Sequence, residues 1–176
     1  MSVIKINLPV SEEDIRKLKV GDQVFLSGIM STGRDAAHKY IMDHHPDFIR
    51  PFIKDSLLYH CGPVVAKNDD GSWRFVAAGP TTSIREEPYE AHVIEEYQLR
   101  GVIGKGGMRD KTLAALKKNG AVYFKSFWCA VRLISIDFCQ LSSLNISRFS
   151  LGVKIPALLT TISIPPKLFT AILTAF

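Results

Sequence analysis

Three stretches of this chain put a positive charge where a helix begins. Thr32-Gly33-Arg34-Asp35 and Ser83-Ile84-Arg85-Glu86 share one layout: a hydroxyl residue that can cap, an arginine two positions on, and an acid after it. The hydroxyl and the acid are conventional there, because they satisfy orphan backbone amides. The arginine is not. A helix N-terminus carries about half a positive charge, so a cation beside it costs roughly 0.3–1 kcal/mol. Gly104-Lys105-Gly106-Gly107 repeats the theme, a mobile cation among glycines that let backbone amides approach a ligand. An anion resolves all three penalties at once, and arginine offers it two parallel donors. Three such sites on one scaffold suit a small di- or tricarboxylate better than a polymer. Taken singly, an arginine beside its acid is most often a solvated surface residue. The glycine run has neither P-loop nor GxGxxG spacing.

Ala77-Ala78-Gly79-Pro80-Thr81-Thr82-Ser83 is the other unusual segment, with three hydroxyls in a row before a helix. Ser83 reads as the N-cap. Thr81 is too early to cap the same helix and is free to face whatever Arg85 faces.

These residues need elements to hold them. Val3–Leu8 alternates apolar and polar, as a strand does. Ser11-Glu12-Glu13-Asp14 opens a short helix that turns Ile15 and Leu18 inward. Gln23–Met30 reads as a second strand. Arg34–His44 reads as a helix with Ala37, Tyr40, Ile41 and His44 on one face. Leu57–Val65 and Trp73–Ala78 form a hairpin around Asn68-Asp69-Asp70-Gly71. Ile84–Tyr97 and Met108–Lys118 read as helices, the second closed by Asn119-Gly120. Leu99–Ile103 and Ala121–Phe124 are short strands. Strands mixed with ten-residue helices predict an α/β architecture.

Composition narrows the function classes. The chain has 176 residues, 47% hydrophobic and 22% charged, which is globular. Its net charge of +5 is uneven. Residues 1–124 hold 17 Lys+Arg against 16 Asp+Glu, whereas residues 125–176 hold five basic residues and one acid, Asp137. A nearly neutral first part argues against nucleic acid as partner. The cysteines Cys61, Cys129 and Cys139 fit neither a disulfide framework nor a zinc or iron–sulfur site built from this chain alone. The five histidines show no metal spacing, and His44 and His45 cannot share a helix face. His60 and Cys61 read as strand residues. No signal peptide or membrane span is expected, so the default location is cytoplasmic.

Four motifs occur in order: Thr32-Gly33-Arg34-Asp35-Ala36-Ala37-His38, Tyr59-His60-Cys61-Gly62-Pro63-Val64, Ala78-Gly79-Pro80-Thr81-Thr82-Ser83-Ile84-Arg85 and Val102-Ile103-Gly104-Lys105-Gly106-Gly107-Met108. Together they resemble the β subunit, or C-terminal domain, of the iron–sulfur-dependent class I fumarases and L-tartrate dehydratases. The resemblance runs from about Val3 to Phe124. It implies a swivelling β/β/α domain and a hydro-lyase acting on fumarate/malate, a step of the tricarboxylic acid cycle, or on tartrate. It implies an active site shared with an α subunit in a hetero-oligomer, with a [4Fe–4S] cluster on three cysteines of that partner and no metal on this chain. Arg34 and Arg85 then correspond to the dicarboxylate-binding arginines, Lys105 to the substrate lysine and Thr81 to the base. Asp35, His38, Thr82, Gly104 and Gly106 belong to the same motifs as supporting residues. For Asp35 and His38, capping and a place at the core edge are equally open. A non-catalytic dicarboxylate-binding module is the alternative from another class.

After Phe124 the resemblance stops. The family continues with a glycine-rich loop, a helix and closing strands; this chain reads Lys125-Ser126-Phe127-Trp128-Cys129-Ala130. Acids vanish at the same point. Residues 1–124 are therefore expected to be the dehydratase-type domain, incomplete at its C-terminus. Residues 125–176 are expected to be an apolar tail from a shifted reading frame, leaving the chain poorly soluble and weakly active.

Overall fold

The structure, a computed structural model, describes residues 3–70, 73–126 and 131–132. Its centre is a four-stranded parallel sheet in the order β3-β4-β7-β8, made of Ser31–Gly33, Leu57–His60, Gly101–Gly104 and Val122–Lys125. The helices α2 (Asp35–His44), α3 (Arg50–Ile53), α4 (Glu87–Tyr97) and α5 (Asp110–Asn119) follow or precede these strands. A parallel pair, β1 (Ile4–Asn7) with β2 (Val24–Ser27), flanks the short helix α1 (Glu12–Arg16) in sequence. The antiparallel hairpin β5 (Val64–Lys67) and β6 (Trp73–Ala78) is extended by β9 (Val131–Arg132).

Strand periodicity divides the interior in two. In β4 and β7, Leu57, Tyr59 and Ile103 face a core completed by Ile6, Leu8, Val10, Ile15, Leu26 and Ala78. Leu58 and Val102, one position out of phase, face a second core with Ile41, Ile53, Val93, Ile94, Tyr97 and Leu116 from the helices. Every residue of β4 is buried, as expected of a parallel strand covered on both faces. The outcome is an α/β fold layered sheet, sheet, helices.

Several elements are as read from the sequence. Ser11 caps α1 by accepting from the Asp14 amide at 3.1 Å, Ile15 is buried, and Gly120 closes α5 in the left-handed region. One expected strand, Gln23–Met30, stops early at Ser27, and another, Leu57–Val65, is two. Gln23–Met30 breaks at Gly28, whose φ of +117° and contact with Leu8 allow no side chain: a Cβ there would lie 2.6 Å from the Leu8 carbonyl oxygen. The chain leaves β2 and enters the central sheet as β3. Leu57–Val65 breaks at Cys61-Gly62-Pro63, so β4 joins the parallel sheet and β5 alone makes the hairpin. On α2 the buried residues are His38 and Ile41, while Tyr40 and His44 stack at 4.4 Å on its outer side. Beyond Phe124 the chain adds β9, which pairs Val131 with Ala78 and Arg132 with Ala77. Of the expected tail, Lys125 ends β8 and the Ser126 amide donates to the Gly104 carbonyl at 2.8 Å; residues 127–130 and 133–176 lie outside the described residues.

Candidate functional site

Arg34, Gly62 and Lys105 each lie just past the carboxyl end of one of the adjacent strands β3, β4 and β7. Open parallel sheets bind ligands at this edge. The segment after β6 threads into the same edge. The Thr81 amide donates to the His60 carbonyl at 2.7 Å, the Lys105 amide to the Thr81 carbonyl at 3.3 Å, and the Ser83 amide to the Lys105 carbonyl at 2.9 Å. Thr81, Thr82 and Lys105 thus form a short parallel bridge continuing the sheet.

Arg34 and Arg85 meet through Asp35. Arg85 donates Nε to Asp35 Oδ1 at 3.0 Å and Nη2 to Asp35 Oδ2 at 2.8 Å. Arg34 donates to the same Oδ2 with Nη2 at 3.3 Å. Both side chains remain about half exposed, at 46% and 54%. The Arg34 stem lies across Gly62, where a Cβ would come within 2.5 Å of Arg34 Cδ.

The expected caps are not formed. Thr32 is part of β3, and Arg34 occupies the N-cap position of α2 with an extended backbone and no side-chain cap bond. Ser83 begins a 3-10 turn, Ser83–Glu86, without capping it; its hydroxyl shares a hydrogen bond with Tyr123 Oη at 2.9 Å. Asp35 therefore bridges arginines rather than capping. Gly104 packs so closely on Ser83 that any side chain would overlap its Oγ. Gly106 turns at φ +84°. Arg34, Asp35, Thr81, Thr82, Arg85, Gly104, Lys105 and Gly106 are all in one patch.

His38 lies beneath it, fully buried rather than at the core edge. It joins His60, Glu86 and Glu90, all with no exposed surface. Glu90 Oε2 accepts from His38 Nε2 at 2.8 Å and from His60 Nε2 at 2.9 Å. His38 Nδ1 faces the Arg34 carbonyl at 3.1 Å and Glu86 Oε2 at 3.3 Å. Only a doubly protonated ring can donate on both sides. Burial would strip that proton, but the Glu90 hydrogen bond and the charges of Glu90 and Glu86 raise the His38 pKa. Burial likewise opposes ionisation of Glu90, and the two histidine hydrogen bonds override it and pull its pKa down. Burial pushes the Glu86 carboxyl up. His60 Nδ1 has no hydrogen-bond partner among the described residues and faces Gly104.

The cluster touches the patch at each point. His60 holds Thr81, His38 holds Arg34, and Glu86 follows Arg85 in the chain. Sequence reading missed Glu86, Glu90 and the role of His60. The signal was there: Glu90 shares the α4 spacing of Val93, Ile94 and Tyr97, an acid on an apolar face. It also missed Glu87, which caps α5 across the helix interface by accepting from the Arg109 amide at 2.7 Å and Thr112 Oγ1 at 2.8 Å.

Cys61 does not fit a cluster ligand. It is buried, and burial pushes its thiol up to about 11, away from the thiolate that iron requires. Cys129 and Cys139 lie outside the described residues. No helix among those described is long and apolar enough to cross a membrane.

Comparison with known proteins gives a family and relatives. The family described as Fumarase C-terminus matches residues 1–152. The "Putative fumarate hydratase class I" of Geobacillus stearothermophilus is 52% identical over 124 residues, 70% of this chain and 24% of that protein. The L(+)-tartrate dehydratase subunit beta of Escherichia coli K12 is 36% identical over 121 residues, 67% of this chain and 58% of that protein. The match thus spans about a quarter of the first and under three-fifths of the second.

Proposed function

The chain belongs to the Fumarase C-terminus family, and from that premise we propose that it is the β subunit of a hydro-lyase that reversibly adds water to a four-carbon dicarboxylate, fumarate/malate. The observation that carries this is the pairing of Arg34 and Arg85 through Asp35 beside the backbone-clamped Thr81 and Lys105. Arg34, Arg85 and Lys105 outweigh Asp35 by two positive charges, which matches a dicarboxylate. A guanidinium has five N–H groups, so the bonds to Asp35 leave donors for a substrate carboxylate.

In this reading Thr81 Oγ1 takes the proton alpha to a carboxylate. The charge that builds on that carboxylate is stabilised by Arg34, Arg85 and Lys105, preset donors that need no reorganisation. A threonine hydroxyl is a weak base and needs an activating group. An acid of the partner α subunit serves; among the described residues Thr81 is held through its backbone, by His60 and Lys105. The partner also carries the [4Fe–4S] cluster, which when bound supplies a Lewis acid for the substrate hydroxyl. A reducing, cytoplasmic setting goes with that cluster.

The same arginine and lysine set would hold tartrate, and the β-subunit name of the Escherichia coli relative favours this second substrate. An anaerobic assay of this chain with a cysteine-bearing α subunit, on malate and on tartrate, separates the two. Turnover is expected only with both chains present and is abolished by Arg85→Ala. A chain closed with the C-terminal segment of the Geobacillus relative is assayed alongside, which covers a deficit due to the tail. Failure of both chains on both diacids overturns the reading. A pure binding module would bind the diacid without turnover in either form.

A further inference from the structure

Far along α4 from the patch, a second group of titratable side chains converges. His92 and Glu96 are one turn apart on α4, and His45 reaches them from the left-handed C-cap of α2, with φ 45°. Glu96 Oε2 lies 2.9 Å from His45 Nδ1 and 2.6 Å from His92 Nε2, and the two ring nitrogens are 3.4 Å apart. We infer that His45, His92 and Glu96 form a binding site for one divalent transition-metal ion of the zinc type.

The argument is geometric. Metal–ligand bonds of about 2.0–2.2 Å in a tetrahedron keep the ligand atoms about 3.3–3.5 Å apart. The histidine nitrogens already have that spacing. The two shorter separations need to open by less than about 1 Å, on the same geometry. The side chains can do this: His45 is 52% and His92 38% exposed, which also leaves room for water as a fourth ligand. Two imidazoles and a carboxylate, without thiolate, suit zinc, cobalt, nickel or copper. Arg50 braces the acid from behind, donating Nη1 to the Glu96 carbonyl at 2.7 Å, with Nη2 3.9 Å from Oε1, so that Oε2 turns to the histidines. The buried trio His38, His60 and Glu90 differs: with no exposed surface it offers an ion neither entry nor a water ligand. His92 and Glu96 share one helix at a spacing of four, and only the fold brings His45 to them from α2. An ion there would tie the end of α2 to α4, whatever the chain does at its other end.

Calorimetric titration of the chelator-treated full chain with Zn2+ tests this. One ion per chain is expected, and Co2+ should give the absorption of a tetrahedral site. His92→Ala and Glu96→Gln should weaken binding by at least the roughly tenfold that loss of even an outer-shell partner causes. His44→Ala, at the neighbouring ring stacked on Tyr40, should titrate like the native chain. Should His92→Ala unfold, His45→Asn removes a ligand at a position whose left-handed backbone asparagine tolerates. No saturable binding by the native chain, or unchanged binding in the folded variants, overturns the proposal.

Discussion

At the scale of single residues, the buried ionic cluster under the patch makes the sharpest demand on pH. His38 has its pKa raised on folding, so its share of stability is full below its unfolded value of 6.5 and drains as pH rises through the folded value. Glu86 is raised too, chiefly by burial, and ionising it costs stability as pH climbs above its unfolded value of 4.5. Glu90 is lowered and acts the other way: its share is present above 4.5 and lost as pH falls through the folded value. Together they put maximal stability near the unfolded carboxyl value of 4.5, with the Glu86 share lost above it and the His38 share lost as well above 6.5. Urea midpoints should therefore fall on the alkaline side of neutrality. Glu90→Gln removes the anion that both histidines bond, and breaking a buried pair costs about 3–5 kcal/mol. It should also flatten the alkaline decline, because His38 then has less reason to hold its proton. A decline as steep as that of the native chain would locate the titration elsewhere.

At the scale of elements, the patch depends on how tightly the Thr81–Ser83 segment lies against the end of β7. Gly104→Ala forces a methyl into Ser83 Oγ, and overpacking of this kind costs about 1–3 kcal/mol. The Ser83–Lys105 and Lys105–Thr81 backbone bonds should loosen with it, weakening dicarboxylate binding as well as lowering the thermal midpoint. Gly107→Ala is the matched control, since a Cβ there meets nothing within 4 Å. Equal effects from the two substitutions would mean that the glycine run matters for its flexibility rather than for close packing. Adding Ser83→Ala to Gly104→Ala should recover part of the loss.

These elements also mark how far the sequence could be read. The alternation in β1, the cap of α1 and the Asn119-Gly120 stop of α5 are local signals, and the structure keeps them. The breaks at Gly28 and Cys61-Gly62-Pro63 are not local, because apolar residues continue across both and only the choice of neighbouring sheet separates the halves. The same limit applied to the site. Arg34, Arg85 and Lys105 could be picked out by their odd position at helix starts. Asp35 joining two arginines 51 residues apart, and Glu90 joining two histidines, are products of the fold. The thread of Thr81 between β4 and β7 required the sheet order.

At the scale of the whole molecule, the proposed change of character at Phe124 bears on solubility. The family match reaches residue 152, which argues for continuity, whereas the relatives align over 124 and 121 residues, which argues for a break. Translating the same DNA in the other two frames beyond codon 124 tests the shifted-frame proposal, which fails if neither frame resumes a glycine-rich loop and closing strands. The described structure has a consequence on either account. The strand β6 runs from Trp73 to Ala78, yet β9 pairs only with its last two residues, Ala77 and Ala78. Among the described residues the rest of that edge has no strand beside it, and Val64 and Val76 lie exposed on the same hairpin at 59% and 38%. An unpaired edge with apolar residues is a template for joining another copy. The chain alone should therefore associate with rising concentration, as read by sedimentation velocity. Val76→Lys places a charge by that edge, a device natural sheets use against such pairing. It should reduce association without changing the far-ultraviolet spectrum. Association that ignores Val76→Lys but disappears when the α subunit is added would assign the sticky surface to the partner's face instead of to β6.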